Sequence, residues 1–271
     1  MKQFKDLKFT TISQAKKDTK LSYLGSINSS AKIVKNAKLN VWTYIMYLAP
    51  FKQSGYNVCK FASLECITGC LTASGRAAMD IISGLNIILN SRINKTKLFH
   101  ENNAYFMDWM HAEITSYQKK ANQANVIFSA RLNGTSDINY QNYLVPGYNK
   151  NIFELFPDVQ FYDYTKDINK VLSNIPKNYH LTFSYSGRNI NNCKLAILRG
   201  LNIAVVFDTS LFPDTFLNMP VINGDDTDYR PLDQKNSIVG LTFKKIANKS
   251  DNELIKNSCF VVNTYKLTKA A

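Results

Sequence analysis

The stretch His180-Leu-Thr-Phe-Ser-Tyr-Ser-Gly-Arg188-Asn-Ile-Asn-Asn-Cys-Lys-Leu-Ala-Ile-Leu-Arg-Gly200-Leu-Asn-Ile-Ala-Val-Val-Phe207-Asp208 decides how this chain folds. His180–Phe183 and Ile203–Phe207 are short apolar runs that read as strands. The span Asn189–Arg199 between them suits a helix, and Gly200 is a good C-terminal stop. Strand, helix, strand within thirty residues is the unit of a parallel sheet. Working outward, the same kind of run recurs at Leu39–Leu48 (closed by Pro50), Val126–Ser129, Val159–Tyr162 and Ile238–Phe243. Asp167–Ser173 is another helix-compatible span. Near-continuous apolar strands separated by helices predict a parallel sheet buried on both faces.

Further upstream, Ala77–Leu89 is apolar at helical spacing (Met79, Ile82, Leu85, Ile88). A second helix is expected over Glu101–Asn122, with Phe106, Trp109, Met110, Ile114 and Tyr117 on one face. No internal repeat or low-complexity linker interrupts the pattern. One domain is therefore expected over 1–271, made of an irregular polar lead-in (1–38), an α/β body (39–245) and a C-terminal extension (246–271). Six parallel strands suit an open doubly wound sheet or a partial (β/α)6 barrel. Polar residues gather after successive strands: Arg131–Asp137, Asp163–Lys166, Ser184–Arg188 and Asp208. In parallel α/β architectures that rim binds ligands.

The 271 residues are 45% hydrophobic and 20% charged, which excludes wholesale disorder. No apolar run reaches about 18 residues, so no membrane-spanning helix is expected. Met1–Lys20 is polar and lacks the apolar core of a secretory signal, so the cytoplasm is the expected compartment. Thirty-three basic against 20 acidic residues leave a formal charge of +13. That excess suits a nucleic acid or other anionic ligand, or merely a lysine-rich composition.

Five cysteines without a secretory signal do not form a disulfide framework. Cys193 and Cys259 stand in apolar surroundings and read as buried thiols. Cys59, Cys66 and Cys70 lie together within Asn57–Arg76, after the first body strand and before a helix. Three thiolates in one loop can hold zinc with a distant fourth ligand (His100, His111, Cys193 or Cys259). With no local fourth ligand they suit a [4Fe–4S] cluster better, one iron staying open. Three ordinary buried cysteines are the remaining alternative. Gly69 and Gly75 would let the backbone approach such a cluster, and Arg76 faces either an anion or solvent.

On the rim, Arg131, Asn133, Ser136 and Asp137 supply a cation, an amide, a hydroxyl and a carboxylate within seven residues. They suit a zwitterionic or phosphorylated ligand, or an Asn-Gly turn with Asp137 as a helix cap. Asp163 and Lys166 form either a structural ion pair on the rim or an acid–base pair facing the ligand, and with Asp137 they are the candidate catalytic residues. Ser184 and Arg188 extend the ligand-binding set. Asn223–Asp233 carries four aspartates and Arg230 and reads as a loop pinned by Asp–Arg contacts, not a calcium loop.

Asn57–Arg76, Arg131–Asp137, Phe161–Lys166, Asn178–Ser184, Asn202–Phe207 and Gly224–Asp228 together resemble the phage "gene product 88" family. The strand–cysteine-loop–helix opening is also similar to the radical-SAM superfamily. That second resemblance implies a partial (β/α)6 barrel, a cluster on Cys59, Cys66 and Cys70, and S-adenosylmethionine as a further cofactor. The spacing here is Cys-x6-Cys-x3-Cys, against the superfamily's usual Cys-x3-Cys-x2-Cys, and Arg131–Asp137 stands where a Gly-Gly-Glu-type segment is usual. The function expected is a [4Fe–4S] enzyme acting on a nucleotide or nucleic-acid-related substrate. Its competitor is a non-catalytic, metal-stapled protein that binds nucleic acid or a host factor. A zinc hydrolase is a weaker third, because three histidines offer no ligand spacing.

Overall fold

The computed structural model describes residues 4–27, 31–70, 75–246 and 248–265, without the side chains of 31, 32 and 75–77. The polar opening, expected to be irregular, carries α1 (Ile12–Thr19), β1 (Gly25–Ile27) and α2 (Ala31–Val34). Thr11 caps α1 by accepting from the Gln14 N–H, and Ala15 and Thr19 turn inward. Two inward residues in eight are too few to show as an apolar period.

Six further strands match the six apolar runs: β2 (Val41–Met46), β3 (Ile127–Arg131), then, after a detached hairpin of β4 (Leu144–Val145) and β5 (Lys150–Asn151), β6 (Gln160–Thr165), β7 (Tyr179–Ser184) and β8 (Ile203–Phe207). A short hairpin of β9 (Thr215–Phe216) and β10 (Met219–Asn223) precedes the sixth, β11 (Ile238–Thr242), and β12 (Val261–Val262) comes last. Between them run α3 (Leu64–Thr68), α4 (Gly75–Ile82), α5 (Ile87–Glu101), α6 (Asn103–Gln123), α7 (Ile152–Leu155), α8 (Ile168–Leu172), α9 (Ile190–Leu198) and α10 (Lys249–Lys256).

Among the described residues the main sheet has ten strands in the order β1-β2-β3-β6-β7-β8-β11-β10-β9, with β12 also on β8. Every pair from β2 to β10 is parallel, and only β1 and β9 join antiparallel. Among the described residues the sheet stays open, with β1 and β9 as its edges. From β2 to β11 the main-sheet strands lie in chain order, so no reversal of the kind found in doubly wound sheets occurs. β7 pairs with β8 only at Ile203 and Ala204; β12 takes over the same edge at Val206 and Phe207. The C-terminal extension is thus part of the sheet.

Register fixes the faces. Tyr44, Met46, Phe128, Ala130, Phe161 and Leu181 pack with Leu98, Phe106, Trp109, Met110 and Ile114 of α5 and α6. Phe183, Ile203, Val205, Phe207 and Ile238 continue that face and pack with Val171 of α8 and Cys193 and Ala196 of α9. Successive side chains alternate across a strand, so the opposite face carries Thr43, Ser129, Arg131, Tyr162, Tyr164 and Thr182. That face is buried, yet it is polar. Asn36 donates to Thr43 and to Tyr162 there, and accepts from the Asp228 N–H.

One expected helix is two. α4 stops at Ile82, and Gly84 (φ +75°) and Asn86 (φ +53°) turn the chain before α5. Asp80 caps the new helix by accepting from the N–H groups of Ile87, Ile88 and Leu89. Met79, Ile82 and Leu85, spaced as a face to be covered, are exposed.

Candidate functional site

A cavity of about 270 Å³ opens at the carboxyl ends of the parallel strands. The loop after β2 brings Cys59, Cys66 and Cys70 to it. The loop after β3 brings Asn133, Ser136 and Asp137, and Arg131 reaches it from the end of β3 itself. Lys166 follows β6, and Ser184 ends β7. Nine of the eleven residues singled out in the sequence therefore border one cavity. Asp163 and Arg188 do not.

The loop after β3 is held by its own side chains. The Asn133 amide donates to the Ile138 carbonyl and to Asp163, while its oxygen accepts from the Ser136 hydroxyl and the Ile138 N–H. Asp137 accepts from the Thr165 hydroxyl (2.8 Å), the Lys166 N–H (2.8 Å) and the Lys170 ammonium (2.6 Å). Its carboxylate thus joins the rim of β3 to that of β6. Arg131 pairs with Asp228 at 2.8 Å and lies over the Tyr164 ring. The loop pinned by Asp–Arg contacts is real: Asp228 and Asp233 pair with Arg131 and Arg230 respectively.

Asp163 shares its side of the sheet with Phe161 and Leu181, facing the helices. It accepts from the Asn133 N–H and amide and from the Tyr179 hydroxyl. Burial pushes its carboxyl up to about 6, against the opposing pull of Arg131 and Lys170. Arg188 is exposed and reaches back to Glu65 of α3 at 3.4 Å. Asp163, expected as an acid–base or ion-pair group, bonds within the loop after β3, and Arg188, expected to bind a ligand, pairs with Glu65. Lys166 holds its ammonium over the Phe260 ring, at the cavity.

The thiols sit on a short, well-built loop. Asn57 accepts from the Cys59 N–H, and Ser63 caps α3 by accepting from the Cys66 N–H. Gly69 follows, packed so closely that an added Cβ would meet Ile255 of α10 at 3.1 Å. Its small size serves helix approach. Residues 71–74 and the side chain of Arg76 lie outside the described residues, and the surroundings of Gly75 do too. The Cys59 thiol donates to the Thr135 carbonyl at 3.6 Å, and burial pushes it up to about 12, so it is protonated at neutral pH. Among the described residues, no three His, Cys, Asp or Glu side chains group closely enough to hold a metal ion. A single tetrahedral zinc needs its sulfurs about 3.8 Å apart, given Zn–S bonds of about 2.3 Å; a cubane cluster spreads its three cysteines more widely.

Sequence reasoning missed the apolar wall, made by Tyr185, Val206, Leu241, Phe243 and Phe260. It also missed Lys170, buried against Asp137. Alternation along Phe161-Tyr162-Asp163-Tyr164 was the available signal that Tyr164, and not Asp163, faces the cavity side.

These features define an open, mostly parallel α/β protein with a mixed polar and aromatic cavity at its carboxyl rim. Residues 7–258 match the family model for Gene product 88, and the chain belongs to that family. No curated protein and no solved structure matches it. No helix among the described residues is long and apolar enough to cross a membrane.

Proposed function

We propose that this is an iron–sulfur enzyme in which Cys59, Cys66 and Cys70 hold a [4Fe–4S] cluster at the mouth of a partial (β/α)6 barrel of the radical-SAM kind. Its substrate is an anionic nucleotide or nucleic-acid-related molecule. The observation that carries this reading is the convergence of all three thiols on one cavity, at the carboxyl end of the first of six successive parallel strands. Three sulfur donors with no fourth in the loop match a cluster that leaves one iron open. Bound there, the cluster would supply that iron to coordinate S-adenosylmethionine for reductive cleavage, or to polarise the substrate directly.

The chain's own groups have separate tasks. Lys166, steadied over Phe260, faces the cavity as a cation for an anionic group. Ser184 borders the same space with a hydroxyl. Tyr185, Phe243 and Phe260 offer flat apolar surface and exclude water. Arg131 is neutralised by Asp228, so it serves as a fixed floor under the cavity and not as the principal anion clamp. Cys59 must lose its proton before it can ligate iron.

Anaerobic reconstitution with a visible spectrum tests the reading. Absorbance near about 400 nm is expected, lost in Cys66→Ala with the far-UV circular dichroism unchanged. A colourless protein after reconstitution, or colour that survives Cys59→Ala, Cys66→Ala and Cys70→Ala alike, would overturn it.

A further inference from the structure

Among the described residues, nothing covers the apolar face at the α4–α5 corner. Met79 (69% exposed), Ile82 (72%), Leu85 (64%) and Ile87 (64%) point outward, with Ile81 beside them. Met79 and Ile82 lie one turn apart on α4, Leu85 sits in the turn and Ile87 opens α5; α4 packs on α5, and no described residue covers these side chains. The corner is firmly made: Asp80 accepts from three N–H groups of α5, and the Ser83 hydroxyl donates to the Asp80 carbonyl. At about 200 Å² for a large side chain, the exposed fractions amount to roughly 600 Å², the upper end of the largest patch on an ordinary monomer.

We infer that this face binds its own counterpart on a second copy of the chain, forming a two-fold dimer through α4 and the first turns of α5. Charge selects the occupant. The chain carries +13, so two copies repel, and a self-association surface must avoid lysine and arginine. Between Arg76 and Arg92 the one charged residue is Asp80, whose carboxylate caps α5, and Arg92 is turned onto the Tyr47 ring. An anionic membrane or nucleic acid would be drawn to lysine-bearing faces instead. Area agrees: two such faces, fully covered, together remove at most about 1,200 Å², the lower bound for a specific interface. A two-fold lets α4 of each copy cover the other's bare side.

Light scattering during size exclusion, with sedimentation equilibrium over a dilution series, tests this on the full chain. The expected mass is twice 30.8 kDa. Ile82→Lys should raise the dimer dissociation constant on the order of 100-fold, because both copies bring the charge into one interface. Leu198→Lys, more exposed than Ile82 but on α9, should leave it unchanged. A 30.8 kDa species at every concentration overturns the inference. So does a dimer indifferent to Ile82→Lys, or a monomer that instead floats with phosphatidylglycerol vesicles through this face.

Discussion

Lys170 and Asp137 form an ion pair of 2.6 Å in which the lysine side chain is wholly buried. Thirty-three residues apart, they tie α8 to the loop after β3, and the same carboxylate holds the Lys166 N–H at the cavity rim. Removing one partner of such a pair leaves a buried charge without its counter-ion. Lys170→Met should destabilise the protein by about 3–5 kcal/mol, measured by denaturant unfolding. Adding Asp137→Leu to Lys170→Met should restore part of the loss. Strict additivity of the two changes would show that the pair does not organise the rim.

Arg131 and Asp228 make the matching tie on the other face of the sheet. Both are buried, so salt should hardly screen them. A double-mutant cycle with Arg131→Met and Asp228→Asn should give a coupling energy of at least about 1.5 kcal/mol, nearly unchanged between 0.05 and 0.5 M salt (roughly 14 to 4 Å of screening length). A coupling that vanishes at high salt would contradict the buried geometry.

Asp163 supplies a pH signature. Burial raises its carboxyl from 3.8 to about 6, so the folded chain favours the protonated form. The stability this contributes is complete below the unfolded value and is lost as pH rises through about 6. The difference in unfolding free energy between wild type and Asp163→Asn should therefore shift by about 3 kcal/mol across that window, against the wild type as pH rises. A difference that is flat with pH would mean the carboxyl is not held as described.

How far such a site was legible depends on the kind of signal. β2, β3, β6, β7, β8 and β11 follow from their apolar and β-branched composition, because parallel strands covered by helices need it. Parity places Asp163 with Phe161, away from the cavity, and is likewise present in the sequence. Arg131 and Asp228 are ninety-seven residues apart, and Arg188 and Glu65 are farther still. No local pattern announces such pairs, so both arginines read as free cations. Met79, Ile82 and Leu85 show the opposite limit: spacing reveals an apolar face but not what covers it.

Thiol reactivity separates the cysteines in the metal-free chain. Burial pushes Cys59 and Cys193 up to about 12, whereas Cys259 is exposed. Alkylation at pH 8 followed by peptide mass spectrometry should label Cys259 first and Cys59 and Cys193 last. Because Cys59 must be deprotonated to ligate, iron incorporation should be greater at pH 8.5 than at pH 6.5. Rapid labelling of Cys59 would show that its thiol is not shielded beside Thr135.

The most direct test of the three-thiol proposal is iron and acid-labile sulfide per chain after anaerobic reconstitution and desalting. The account predicts about four of each, falling to background in Cys59→Ala, Cys66→Ala and Cys70→Ala. One zinc per chain with neither iron nor sulfide, or equal iron in all four proteins, would contradict it.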